Sequence, residues 1–86
     1  MMWRYQTVFK KTDEETFKFS LCEVYLDDDG KLEYWTENAE MTPCGETYDE
    51  LLGDTKYMFE DAKKWLPVEF DKMEVGMTFE QVMTER

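Results

Sequence analysis

Histidine is absent from this chain, and the other residues on which small catalytic and metal sites are built are scarce: two cysteines, Cys22 and Cys44, and one serine, Ser20. Without imidazole there is no side chain whose ordinary pKa makes it a general base near neutrality. A structural zinc site needs four Cys or His ligands, so two distant cysteines exclude one. Neither thiol nor the serine hydroxyl has a base of the usual kind to take its proton. Two cysteines are also too few for the disulfide frameworks of small secreted domains, so both read as thiols in a reducing compartment. Positive charge is scarce as well, with 10 basic residues against 21 acidic ones in 86 positions and a net charge of -11. Nucleic-acid binding needs a basic stripe, whereas the pairs Lys10-Lys11 and Lys63-Lys64 are each flanked by acids. No apolar run reaches the length of a membrane span, and Met1-Met2-Trp3-Arg4-Tyr5 lacks the outline of a signal peptide. The expectation is a cytoplasmic protein with no catalytic residue, cofactor or metal, contacting neither membrane nor nucleic acid directly.

What remains is 42% hydrophobic and 16% aromatic residues, enough to build one core in a single domain spanning 1–86. Trp3, Tyr5, Thr7 and Phe9 alternate with the period of a strand, and the polar run Lys10–Glu15 reads as a hairpin loop. A longer strand is expected over Thr16–Leu26. Its apolar residues change phase, from Phe17, Phe19 and Leu21 to Cys22, Val24 and Leu26, which requires either two covered faces or a bulge. Asp27-Asp28-Asp29-Gly30 is the clearest turn, because glycine tolerates the positive φ of a tight reversal. A third strand over Lys31–Thr36 alternates Leu32 and Tyr34 against Glu33 and Trp35, and the chain then loosens through Glu37–Pro43.

Thr47 with Glu50 three residues on forms a capping box, and Asp49 and Glu50 suit the positive end of a helix dipole. Leu51, Leu52, Thr55, Met58, Phe59, Ala62, Trp65 and Leu66 recur at helical spacing until Pro67 stops the helix, so Thr47–Leu66 is expected to bury this stripe on a sheet. Past Pro67, Val68 and Phe70 alternate in a short extended piece. A second capping box, Thr78-x-x-Gln81, opens a terminal helical turn, with Met77 placed to staple Val82. The expected fold is α+β: a three-stranded antiparallel β-meander with one amphipathic helix on a face, plus a short C-terminal strand and helical turn.

The acidic loop invites a calcium reading, which spacing rejects. With Gly30 as the invariant glycine of an EF-hand loop, Tyr25 and Thr36 fall at the first and last ligand positions. The acid surplus instead suggests a surface for a basic protein partner, with Asp27, Asp28, Asp29, Asp49, Glu50, Asp54, Glu60 and Asp61 as its electrostatic residues. Trp35, opposite the Leu32/Tyr34 face, is the aromatic candidate for that interface. A DNA-mimicking inhibitor, with carboxylates in place of phosphates, and a homo-oligomer held by an aromatic sheet face are the alternatives.

Glu23-Val24-Tyr25-Leu26-Asp27-Asp28-Asp29-Gly30-Lys31 followed by Gly45-Glu46-Thr47-Tyr48-Asp49-Glu50-Leu51 resembles a family of small bacterial and phage proteins with no assigned activity. Strands followed by Gly-[Asp/Glu]-Thr-x-x-Glu and an amphipathic helix also resemble the HicB antitoxin-like domain over about two-thirds of the chain. That resemblance implies neutralisation of a small basic RNA-cleaving toxin. The chain lacks the Pro-Asp-x-Pro-Gly stretch usual in that group, and no basic DNA-binding segment follows Leu66.

Overall fold

A computed structural model describes residues 2–36 and 42–84. It is an α+β fold whose strands β1 (Met2–Lys11), β2 (Phe17–Leu26), β3 (Leu32–Trp35) and β4 (Val68–Glu69) form one sheet in the order β3-β2-β1-β4. Helix α1 (Tyr48–Lys64) lies between β3 and β4 in sequence, and helix α2 (Phe79–Thr84) follows a 3-10 turn at Phe70–Lys72. The antiparallel meander is present as β1–β2–β3, but β4 adds to it in parallel, Val8 opposite Val68 and Phe9 opposite Glu69. The sheet is therefore mixed and four-stranded rather than a three-stranded meander. Most of the loop expected over Glu37–Pro43 lies outside the described residues.

The first hairpin is longer than the alternation suggested, with β1 and β2 paired without interruption from Met2↔Leu26 to Lys11↔Phe17. Asp13 sets its turn by accepting the backbone N–H groups of Glu15 and Thr16 at 2.9 and 3.0 Å. An unbroken register means that the change of phase in β2 involves no bulge at Leu21-Cys22. Cys22, Val24 and Leu26 face the core, while Phe17 and Phe19 share the opposite, open face and are largely exposed. The irregularity falls instead between Tyr25 and Leu26 on the β3 side. It lets Leu32 and Trp35 both turn toward the core, so Trp35 packs against buried residues rather than opposing Leu32.

The core has an unexpected second layer. Val8, Cys22, Val24, Leu26, Leu32 and Val68 from the sheet are covered by Met73 and Val82, with Phe70, Met77 and Phe79 around them. The C-terminal segment thus closes one sheet face, and α1 is not the principal cover. Gly76 and Met77 fasten that segment to β3: Gly76 N–H donates to Leu32 O and Leu32 N–H to Met77 O, both at 2.7 Å. The φ of 89° at Gly76 is a conformation that favours glycine. The terminal capping box forms in both directions, Thr78 N–H to Gln81 Oε1 at 2.9 Å and Gln81 N–H to Thr78 Oγ1 at 3.2 Å.

Helix α1 lies along β1. Thr47 caps it by accepting from Glu50 N–H at 3.1 Å, but the Glu50 carboxylate reaches back to Glu46 N–H at 2.8 Å rather than to Thr47 itself. Gly45 lets the chain approach this turn, since a Cβ there would lie 2.6 Å from Leu51 N. The stripe expected to be buried is largely exposed, and Met58 is the one buried residue of the helix. The inner side is Leu51, Asp54, Met58, Asp61, Ala62 and Trp65, while Leu52, Phe59 and Leu66 turn outward.

This division makes opposite demands on two apolar truncations. Val82→Ala should lower the unfolding free energy by about 2 kcal/mol, through lost burial and a residual cavity. Leu52→Ala, at 48% exposure, should cost no more than about 0.5 kcal/mol. Urea denaturation of the two variants checks the order, and a larger loss for Leu52→Ala would make α1 the core layer.

Candidate functional site

Strand alternation places Trp3, Tyr5, Thr7 and Phe9 of β1 on the sheet face opposite the core, beside Glu23 and Tyr25 of β2 and Tyr34 of β3. Register puts Trp3 opposite Tyr25 and Tyr25 opposite Tyr34. The Tyr25 and Tyr34 rings stack with centroids 4.4 Å apart, and Tyr57 of α1 stacks on Trp3 at 5.4 Å. An aromatic row, Tyr34–Tyr25–Trp3–Tyr57, therefore crosses three strands and ends on the helix. Trp3, Tyr34 and Tyr57 are each about half exposed, at 45, 53 and 46%. Toward the hairpin tip, Phe9, Phe17 and Phe19 form a second aromatic group on the same face.

Carboxylates hold the row in place. Tyr25 donates its hydroxyl to Glu23 Oε2 at 2.6 Å, and Tyr5 donates its hydroxyl to Asp54 Oδ1 at 2.6 Å. The hydrogen bond to Glu23 raises the Tyr25 phenol to about 12, with burial and the Glu23 charge adding to it. Burial raises the Tyr5 phenol further, helped by Asp54. The Asp54 carboxyl is held below its ordinary value by the Tyr5 hydroxyl and by Cys44 N–H, which donates to Oδ2 at 3.0 Å. Asp61 accepts Tyr5 N–H at 3.0 Å, satisfying a β1 edge donor beyond the reach of β4. A carboxylate has about four acceptor sites, so these bonds leave Glu23 and Asp54 with capacity for further donors.

The residues singled out as an acidic surface do not form one patch of equivalent groups. Asp54 and Asp61 face β1, while Asp49, Glu50 and Glu60 are exposed on α1. At the second hairpin, Asp27 Oδ1 accepts from Asp29 N–H and Lys31 N–H, both at 2.9 Å, and Gly30 adopts φ 78°. Asp27 thus shapes the turn, while Asp28 and Asp29 lie exposed on it. Among the described residues no group of three or more Cys, Asp or Glu side chains is arranged to hold a metal ion, and no helix is long and apolar enough to cross a membrane. Both cysteines are free; burial raises the Cys22 thiol to about 12, and Cys44 is exposed.

The aromatic row was partly legible, since Trp3 and Tyr5 alternate and Tyr34 follows a clear turn. Tyr57 lay outside the helical stripe, and nothing local tied it to Trp3. No protein-family model, curated protein or solved structure matches this chain.

Two titrations test this geometry. A thiol reagent should label Cys44 in the native protein and reach Cys22 only on unfolding, so native reaction of both would contradict the core assignment. The Tyr25 phenol should ionise in the native protein near pH 12, well above the ordinary tyrosine value of about 10. A raised pKa of this kind contributes stability that is fully present below the unfolded value and is lost as pH rises through the folded one. Ultraviolet titration of Glu23→Gln should show the Tyr25 transition moving down toward the ordinary range.

Proposed function

We propose that the protein is a non-catalytic interaction module whose acidic surface engages a basic protein partner. The observation that carries this reading is the open aromatic row Tyr34–Tyr25–Trp3–Tyr57, with the Glu23 and Asp54 carboxylates beside it. Exposed aromatic faces attract ammonium and guanidinium groups, and neighbouring carboxylates supply acceptors for the same cations. Tryptophan and tyrosine are also the residues most often found as anchors at protein interfaces. The net charge of -11 adds a long-range field that speeds encounter with a basic surface and is weakened by salt.

Division of labour follows from the positions. Asp28, Asp29, Asp49, Glu50 and Glu60 steer the partner, and the aromatic row holds it. Trp35, turned into the core, supports the sheet beneath. The HicB-like outline makes a small basic RNA-cleaving toxin one specific partner class for this surface, in the cytoplasm where such toxins act. A nucleic-acid-binding enzyme is the other class, reached by mimicry of the DNA backbone.

Affinity capture from native lysate, eluted by rising salt, tests the reading, and a basic protein released by salt is the expected result. With that partner, Tyr34→Ala should weaken binding about tenfold, or about 1.4 kcal/mol, chiefly through faster dissociation. Replacing Asp28 and Asp29 with asparagine should slow association and leave stability unchanged within about 0.5 kcal/mol. Competition by duplex DNA for the same partner would assign mimicry. A partner bound equally well at low and high salt would overturn the electrostatic reading.

A further inference from the structure

The outer side of α1 carries a pattern that the monomer does not use. Tyr48, Leu52, Thr55 and Phe59 are spaced 4, 3 and 4 residues apart, the spacing of a coiled-coil seam, within a narrow arc of the helix, and Ala62, half-buried at the edge of the inner side, continues that spacing by 3. Tyr48 is 72% exposed and Phe59 60%, with Leu52 about half exposed. The centre of this arc lies about a quarter turn from Met58 and further from Asp54 and Asp61, so packing on β1 leaves Tyr48, Leu52, Thr55 and Phe59 exposed. The Thr55 hydroxyl donates to Leu51 O at 2.9 Å, which leaves its methyl group to the seam.

Charge along one flank of the seam is self-complementary. Asp49 stands at the first turn and Lys63 at the last, two heptads apart, with Glu50 and Lys64 repeating the arrangement one residue on. A second copy in antiparallel orientation would set Leu52 opposite Ala62 and Thr55 opposite Phe59. It would also set Asp49 opposite the other copy's Lys63, twice by symmetry. Lys56 from both copies would meet near the two-fold axis, with Glu60 from each copy alongside. Antiparallel pairing also opposes the two helix dipoles favourably. In the single chain Lys63 Nζ lies 5.0 Å from the Phe59 ring centroid, close enough to exchange that ring for a carboxylate.

We infer that a second copy of this chain pairs with the first through the outer face of α1, as an antiparallel two-fold dimer. The seam is short and each copy carries a net charge of -11, so the association is weak and governed by screening. Exposed ion pairs contribute little each, less than the long-range repulsion that salt removes. Added salt therefore strengthens self-association, opposite to its effect on capture of a basic partner.

Sedimentation equilibrium on the full chain, from about 10 μM to 1 mM, tests this at about 0.05 and 0.5 M salt. The dimer fraction should rise with salt, and Phe59→Ser, at an exposed position, should abolish dimerisation while circular dichroism remains unchanged. A zero-length carboxyl-to-amine cross-linker adds a positional readout. Within one helix residues 49 and 63 are separated by about 21 Å, so a 49–63 link can form only between copies. Recovery of that linkage in the dimer band is the expected result. A monomer at every concentration and salt, or a dimer unaffected by Phe59→Ser, would overturn the inference.

Discussion

The rest of the structure depends on a polar clasp inside an otherwise apolar core. Gln6 is fully buried on β1, and its amide nitrogen donates to Leu66 O at 2.8 Å and to Thr7 O at 3.0 Å. Its Oε1 accepts from the Arg4 guanidinium at 2.9 Å. That guanidinium lies between the rings of Trp65 and Phe79, 3.7 and 4.2 Å from their centroids, joining β1 to the exit of α1 and to α2. Burial lowers the Arg4 pKa to about 10, against the opposing charge of Asp61. Among the described residues Arg4 Nε has no hydrogen-bond partner, so the guanidinium's contacts are weighted toward the two rings. By holding Leu66 beside Gln6, the clasp sets Val68 opposite Val8 and so determines where β4 joins the sheet.

That placement gives the molecule two dissimilar sides. One sheet face is closed by Met73 and Val82, and the other keeps Trp3, Phe17, Phe19 and Tyr34 in contact with solvent. Two carboxylates occupy the inner side of α1, where Tyr5 supplies donors from its backbone and its ring. An inner side committed to Asp54 and Asp61 cannot also bury Leu52 and Phe59, which are displaced outward. The same local requirement thus accounts for the ordered aromatic row and the unpartnered seam.

Much of the local structure was legible because its causes are local. The Asp27–Gly30 turn, both helix starts and the alternation of β1 follow from a few neighbouring residues, and each is present. The misassigned parts have distant causes. Two adjacent sets at helical spacing, Leu51/Met58/Trp65 and Leu52/Phe59/Leu66, are equally apolar, and the choice between them was made by Tyr5. Two residues of β4 are too few to show a period, and their parallel pairing depends on the Gln6 contact 60 positions away. Trp35 was turned inward by the irregularity at Tyr25/Leu26, which has no glycine or other marker. Of the acidic residues, composition gave the charge, whereas their separation into turn-forming, strand-facing and exposed groups required the fold.

Equilibrium unfolding of Gln6→Leu tests the central dependence most directly. The substitution introduces an apolar side chain of similar size but leaves the Leu66 carbonyl and one Arg4 donor without their partner, a loss of about 3 kcal/mol for buried groups of this kind. Hydrogen exchange should show lost protection through β4 and α2 before the β1–β2 hairpin is affected. Stability within about 0.5 kcal/mol of the parent, with β4 and α2 still protected, would contradict the account and leave apolar packing alone as the link between the two halves.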